Sequence, residues 1–187
     1  MAPAAPGGAG SARGAGGDRL VPCGGGCGQR AGEKGGPLTG PNPVDRGKPG
    51  AKLHVLTDAA GLPLAVATSA ANTHDSLALI PLVQAIPAIR SRRGPRRRRP
   101  AKLHADKGYD YPHLRAWLRR RRSTPRIARR GVENSTRLGR HRWVVERSFA
   151  WLTGYRRLTL RYERSARLFT AFLTLAAALT CYKKLTT

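Results

Sequence analysis

Two carboxylates stand where chemistry could be done. Asp106 follows a short alternating run, Lys102 to Ala105, within Leu103-His-Ala-Asp-Lys-Gly-Tyr-Asp110. An acid at the end of a strand projects from a rigid support, and Gly108 beside it lets a substrate backbone come close. Glu146 lies inside Arg142-Trp-Val-Val-Glu-Arg-Ser-Phe-Ala-Trp151, where Val145, Phe149 and Leu152 share one helical side. Arg142 is one turn earlier on the face of Glu146, so it can hold a phosphate or pair with the acid. Phosphodiester chemistry needs hard oxygen ligands for Mg2+ or Mn2+, normally carboxylates converging from separate elements. Asp106 and Glu146 are therefore the candidate catalytic residues and the candidate metal ligands. The plainer alternative is that Asp106 caps a turn and Glu146 pairs with Arg142.

Both acids sit in a basic setting. The 187 residues include 35 Lys and Arg against 10 Asp and Glu, a formal charge of +25. Residues 90 to 167 hold 26 of those bases and 5 of the acids, a net +21. Such a chain repels itself unless it meets a polyanion, which makes nucleic acid the first expected partner and a membrane surface the second. Arg96, Arg97, Arg98 and Arg99 lie between Pro95 and Pro100 as a loop that can track DNA phosphates. With Arg142 and Arg147 they are the candidate DNA contacts. Trp143 and Trp151 could stack on unpaired bases, although their helical spacing favours a place in the core. His74 and Asp75 are expected to cap a helix rather than bind metal. Tyr109 is open to either a DNA contact or packing.

The elements that must position these groups fall into two zones. Residues 1 to 36 are low complexity, with 16 of the 22 glycines falling within residues 1 to 50 and no hydrophobic period before Leu38. That segment is expected to be disordered. Cys23 and Cys27 inside it lack a second ligand pair, so zinc is not expected. Residues 37 to 187 form the single domain. Pro37 to Pro43 is a turn-rich lead-in, then Lys52 to Thr57 and Leu64 to Thr68 make a β-hairpin around the loop Asp58-Ala-Ala-Gly61. Asn72 or Thr73 caps a helix bearing Leu79, Val83 and Ile86, with Pro81 limiting its regularity. Leu114, Trp117 and Leu118 share a helix face that Arg119 to Arg122 terminate, and Arg142 to Gly154 is a further helix. The last helix, Ala166 to Leu185, is apolar enough to be largely buried. Its most apolar run, Leu168 to Tyr182, is about fifteen residues, short of the roughly 20 that span a bilayer. No export signal, disulfide framework or internal repeat is visible, which points to a reduced, cytoplasmic setting.

Six segments in order resemble bacterial insertion-sequence transposases of the DDE type. They are Thr39-Gly-Pro-Asn-Pro-Val-Asp-Arg-Gly-Lys48, Lys52-Leu-His-Val-Leu56, Ala71-Asn-Thr-His-Asp75, Ala105-Asp-Lys-Gly-Tyr-Asp110, Ile127-Ala-Arg-Arg-Gly131 and Arg142-Trp-Val-Val-Glu-Arg147. The resemblance runs from about Glu33 to Leu185. It implies an α/β, ribonuclease-H-like fold, a mixed sheet flanked by helices. It also implies metal-dependent cutting and joining of transposon DNA ends with Mg2+ or Mn2+, on transposon-end and target DNA, with a homodimer on DNA as a further expectation. Asp106 looks like the second acid of the triad and Glu146 like the third, while Arg142 matches the family's Arg four positions before that Glu. His141 stands where close relatives carry Tyr, and Thr153 where the family has Lys, with Arg156 and Arg157 near.

The first acid is the departure. The resemblance places an Asp on the opening strand about eight residues before Lys34-Gly-Gly36, and that count falls on Gly26. Asp18 is eight positions too early, and Glu33 adjoins the Lys. A glycine run does not make a central strand, so the fold is expected to be incomplete at its N-terminus. Residues 1 to about 32 then read as a frame-shifted or replaced segment ahead of the C-terminal part of a transposase, without the usual end-binding region. A truncated, inactive transposase is the expected function; a non-catalytic basic nucleic-acid-binding protein is the alternative.

Overall fold

The computed structural model describes residues 18–22, 29–31, 36–43, 46–89, 95–129 and 135–186, with side chains from residue 36 onward except in 135–142. Seven strands make one mixed sheet: β1 (Asp18–Pro22), β2 (Gln29–Ala31), β3 (Gly40–Pro41), β4 (Pro49–Thr57), β5 (Pro63–Ala70), β6 (Lys102–Ala105) and β7 (Thr124–Ile127). Five α-helices accompany them: α1 (Leu79–Gln84), α2 (Pro112–Arg120), α3 (Ser135–Thr153), α4 (Arg156–Thr159) and α5 (Ala166–Leu185).

The hairpin of β4 and β5 forms as its alternation requires. The strands pair antiparallel from Ala51↔Ala70 to Thr57↔Pro63, and the Asp58 carboxylate closes the loop by accepting from the backbone N–H groups of Ala60 and Leu62, each at 2.8 Å. β1 pairs antiparallel with β4 and parallel with β6, and β6 pairs parallel with β7. The path across the sheet is thus β5, β4, β1, β6, β7, with β2 and β3 extending either side of β4.

The middle of that path corrects the expectation of a missing central strand. Asp18-Arg-Leu-Val-Pro22 is that strand, ahead of the glycine run rather than in it. Cys23, Cys27, Gly26 and most of the segment expected to be disordered lie outside the described residues, as do the side chains of His141 and Arg142.

Residue parity along β4 splits the core in two. Leu56 and, on β6, Leu103 and Ala105 join Leu79, Leu82 and Val83 of α1 and Leu114 and Leu118 of α2 on one face. Ala51, Leu53 and Val55 join Val145, Phe149 and Leu152 of α3 and Phe169, Leu173 and Ala176 of α5 on the other. Leaving such side chains in water would cost roughly 1.5–3 kcal/mol each, which makes both clusters the main fold determinants.

Two further expectations are refined. His74 caps the 3-10 turn Asp75–Ala78 that leads into α1, as expected of it, its Nδ1 accepting from the Ser76 N–H at 3.2 Å, and Asn72 and Thr73 are not the cap. α5 has the expected bounds but is not largely buried: Leu168, Leu175, Leu179, Tyr182 and Leu185 are exposed, opposite the buried Phe169, Leu173 and Ala176. At 20 residues it is also long and apolar enough to cross a membrane, which the shorter run Leu168 to Tyr182 is not. One face of α5 is nonetheless part of the core on the sheet.

Candidate active site and DNA-binding surface

Asp106 stands where the strand reading put it. β6 ends at Ala105, and Asp106 caps the 3-10 turn Lys107–Tyr109 with its Oδ1 accepting from the Lys107 N–H at 2.7 Å. Turn-capping is thus one role it fills. Leu103 and Ala105 point into the α1–α2 cluster, so alternation gives position 106 to the opposite face, the one α3 covers. The carboxylate is half-buried. Tyr109 is fully buried, so packing is its role. Behind them, Arg115 anchors the turn to the strand ends, donating from Nε to Asp110 Oδ1 at 2.7 Å and from Nη2 to the Ile127 carbonyl at 2.8 Å.

Glu146 is exposed on α3, which lies across β4 and β1. The helix is pinned to the β4–β5 loop at one side. Ser148 Oγ donates to the Gly61 carbonyl at 2.6 Å, and Arg147 Nη2 donates to the Ala60 carbonyl at 2.6 Å. Gly61 has φ +87, and a Cβ there would lie 3.0 Å from Ser148 Oγ and 3.2 Å from the Val144 carbonyl. Gly61→Ala is expected to cost about 1–2 kcal/mol through backbone strain and the lost fit of α3. Thermal melting checks this: a decrease of roughly 3–6 °C is expected, and an unchanged midpoint would show that α3 does not depend on this contact.

The arginines divide into two kinds. Arg96 to Arg99 are all exposed; Arg97 makes an antiparallel bridge with Ile89, and Arg99 Nη1 donates to the Arg121 carbonyl at 3.2 Å. That loop holds its charges outward. Arg147 is instead half-buried, its guanidinium 4.5 Å from the Trp143 ring centroid and 4.9 Å from that of Trp151. The two tryptophans are not core residues: Trp143 is 51% exposed and Trp151 half-buried, because they lie on the side of α3 turned away from the sheet.

The described site brings two carboxyl-bearing elements to one face of the sheet but does not complete a three-acid centre. Among the described residues no three His, Cys, Asp or Glu side chains stand together as a metal site. The register of β1 is informative here. Asp18 pairs with Leu103 and Arg19 with His104, so continuing the parallel ladder brings Val21 level with Asp106. Position 18 lies three residues, about 10 Å of strand, short of that level. Among the described residues, no third carboxylate therefore joins Asp106 and Glu146.

A family model for the transposase DDE domain matches residues 26–181. The chain belongs to this family, the insertion-sequence transposases of the DDE type. It is 49% identical over 149 residues to a protein named as the transposase of insertion sequence element IS402 from Burkholderia cepacia, covering 80% of this chain and 71% of that one. It is 29% identical over 134 residues to the protein so named for element IS6501 from Brucella ovis, covering 68% of this chain and 95% of that one. No solved structure matches. DNA transposition is the function of this family, which works with a divalent metal ion.

One cluster of rings and cations has a weak sequence signal. The Trp143-x3-Arg147-x3-Trp151 spacing marks the part on α3, whereas Lys183 and Lys184 reach Tyr155 and Trp151 from 28 and 33 residues later in the chain.

Proposed function

We propose that this chain is a transposase by descent, with a ribonuclease-H-like sheet, that binds DNA but does not cut it, because no third acid joins Asp106 and Glu146 among the described residues. The observation carrying this reading is the β1–β6 register, which puts Val21 level with Asp106. The fold assignment is supported by a central β1 running antiparallel to β4 and parallel to β6. Glu146 as third acid is supported by its position on α3. Arg147 and Ser148 face the β4–β5 loop, and Glu146 lies about 100° round the helix from Arg147, on a helix that crosses β4 and β1.

Asp106 and Glu146 supply two hard oxygen ligands, suited to Mg2+ or Mn2+ over softer ions, and Arg142 stands one turn from Glu146. Arg96 to Arg99 hold DNA phosphates from their outward loop, whether at transposon ends or at a target. The chain works in the cytoplasm, away from membranes, and pairs as a homodimer on DNA.

The test is a nicking assay on a supercoiled plasmid carrying the terminal sequences of the encoding element. The purified chain is expected to bind the plasmid and leave it uncut in the presence of Mg2+ or Mn2+. Metal-dependent nicking that Asp106→Ala abolishes would overturn the proposal.

A further inference from the structure

The side of α3 that faces away from the sheet carries an alternation of rings and cations that the acid-bearing site does not use. Trp143, Arg147 and Trp151 follow one another at four-residue intervals, about 6 Å of helix apart. The Arg147 guanidinium lies 4.5 Å from one ring and 4.9 Å from the next. The series continues onto the end of α5: Lys184 Nζ is 4.9 Å from the Trp151 ring, and Lys183 Nζ is 5.6 Å from the ring of Tyr155. Between the two helices runs a groove of about 260 Å³ lined by Trp151, Gly154, Tyr155, Thr180, Lys183 and Lys184.

We propose that this face is a second DNA contact, one that takes a single-stranded segment, with an unpaired base on Trp143 and phosphates at Arg147, Lys183 and Lys184. Three features carry it. Trp143 is 51% exposed while Arg147 covers it from within the row, so the outermost ring offers surface for stacking. A duplex conceals its base faces and a single strand presents them, which makes an exposed indole beside cations a feature of single-strand sites. The cations are also held in place. Arg147 donates to the Ala60 carbonyl and stacks on two rings, and Lys183 and Lys184 lie over Tyr155 and Trp151. Side chains already ordered lose less freedom when a phosphate arrives. No acid lines the groove, so nothing on its wall repels an anion.

The test uses a fluorescein-labelled random-sequence 20-mer (about one to two site lengths), single-stranded or duplex, without divalent metal. Those conditions make the result independent of whether the chain cuts DNA. Lys183→Glu with Lys184→Glu is expected to weaken single-strand binding at least about tenfold, and to lower the slope of log K against log salt by about 1.4, two phosphates' worth. Trp143→Ala is expected to weaken single-strand binding with little change for duplex, and the single strand should quench tryptophan fluorescence more than the duplex does. Arg97→Glu with Arg98→Glu should reduce duplex affinity and leave that quenching in place. Single-strand affinity unchanged by the double lysine reversal, or equal quenching by both forms, overturns the proposal.

Discussion

Arg161→Met is expected to lower the melting temperature by on the order of 10 °C, the largest effect of any single change outside the two core clusters. Arg161 is 2% exposed, yet it is a full cation with no carboxylate in direct contact among its described hydrogen bonds. Its guanidinium instead gathers backbone. Nη2 donates to the Pro37 carbonyl at 2.7 Å, Nη1 to the Leu38 carbonyl at 2.9 Å and to Thr39 Oγ1 at 2.7 Å, and Nε to the Glu163 carbonyl at 3.1 Å. Phe169 closes one side, its ring centroid 5.3 Å from the guanidinium carbon. Burial pushes the pKa of Arg161 down, with the Glu163 charge opposing, but a guanidinium starts so high that it stays protonated.

One side chain therefore joins the turn before β3 to the connection before α5, more than 120 residues later. Methionine fills similar space but leaves those carbonyls without a donor, at a cost of about 3–5 kcal/mol, and 2–4 °C per kcal/mol is usual at this size. Arg161→Lys keeps the charge but not the planar fork, and should recover less than half of the loss. Melting by circular dichroism decides it. A drop below about 3 °C for Arg161→Met would mean that water or another side chain takes over these carbonyls.

Arg161 also shows what the sequence hides. As one of 26 bases in a charged stretch it has no mark of burial, because all but one of its partners are backbone carbonyls that any residue carries. Where a signal is local, it is legible: the hairpin of β4 and β5, the strand Lys102–Ala105 and the bounds of α5 all follow from alternation and turn chemistry. β7 is different. Thr124-Pro125-Arg126-Ile127 has a proline and no alternation, and it forms a strand only because it sits at the sheet edge against β6. β1 is five residues without a period, and it becomes a strand by lying between two partners.

The site divides in the same way. Asp106 is legible because a strand end and a capping turn are local, whereas the exposure of Trp143 and Trp151 is not. Helical spacing gives their common side but not which side meets the sheet. The outcome was fixed by Val144, Val145, Ser148, Phe149 and Leu152, which take the buried stripe and leave the tryptophans outside it.

Acid is expected to destabilise this fold through a histidine rather than through its few carboxylates alone. His54 is 1% exposed on β4, with Nε2 2.7 Å from Ser69 Oγ and Nδ1 without a hydrogen-bond partner among the described residues. Its pKa is pushed down from 6.5 to about 4, chiefly by burial; Asp75 raises it and Lys52 lowers it further. These last two neutralise each other in a 3.0 Å ion pair, which leaves little net charge to favour an imidazolium. The unfolded chain thus takes up a proton near pH 6.5 that the folded chain refuses until about pH 4. The stabilisation is complete above pH 6.5 and is lost as the pH falls towards 4, by up to about 3 kcal/mol. Urea unfolding at pH 7, 5.5 and 4.5 measures the slope, and His54→Gln removes the titrating group while keeping a hydrogen bond to Ser69 possible. The difference between the two chains isolates the histidine from Asp75 and the other acids. It should shrink or reverse as the pH falls, with wild type losing its advantage. Parallel pH profiles would mean that His54 takes its proton in the folded state as readily as in the unfolded one.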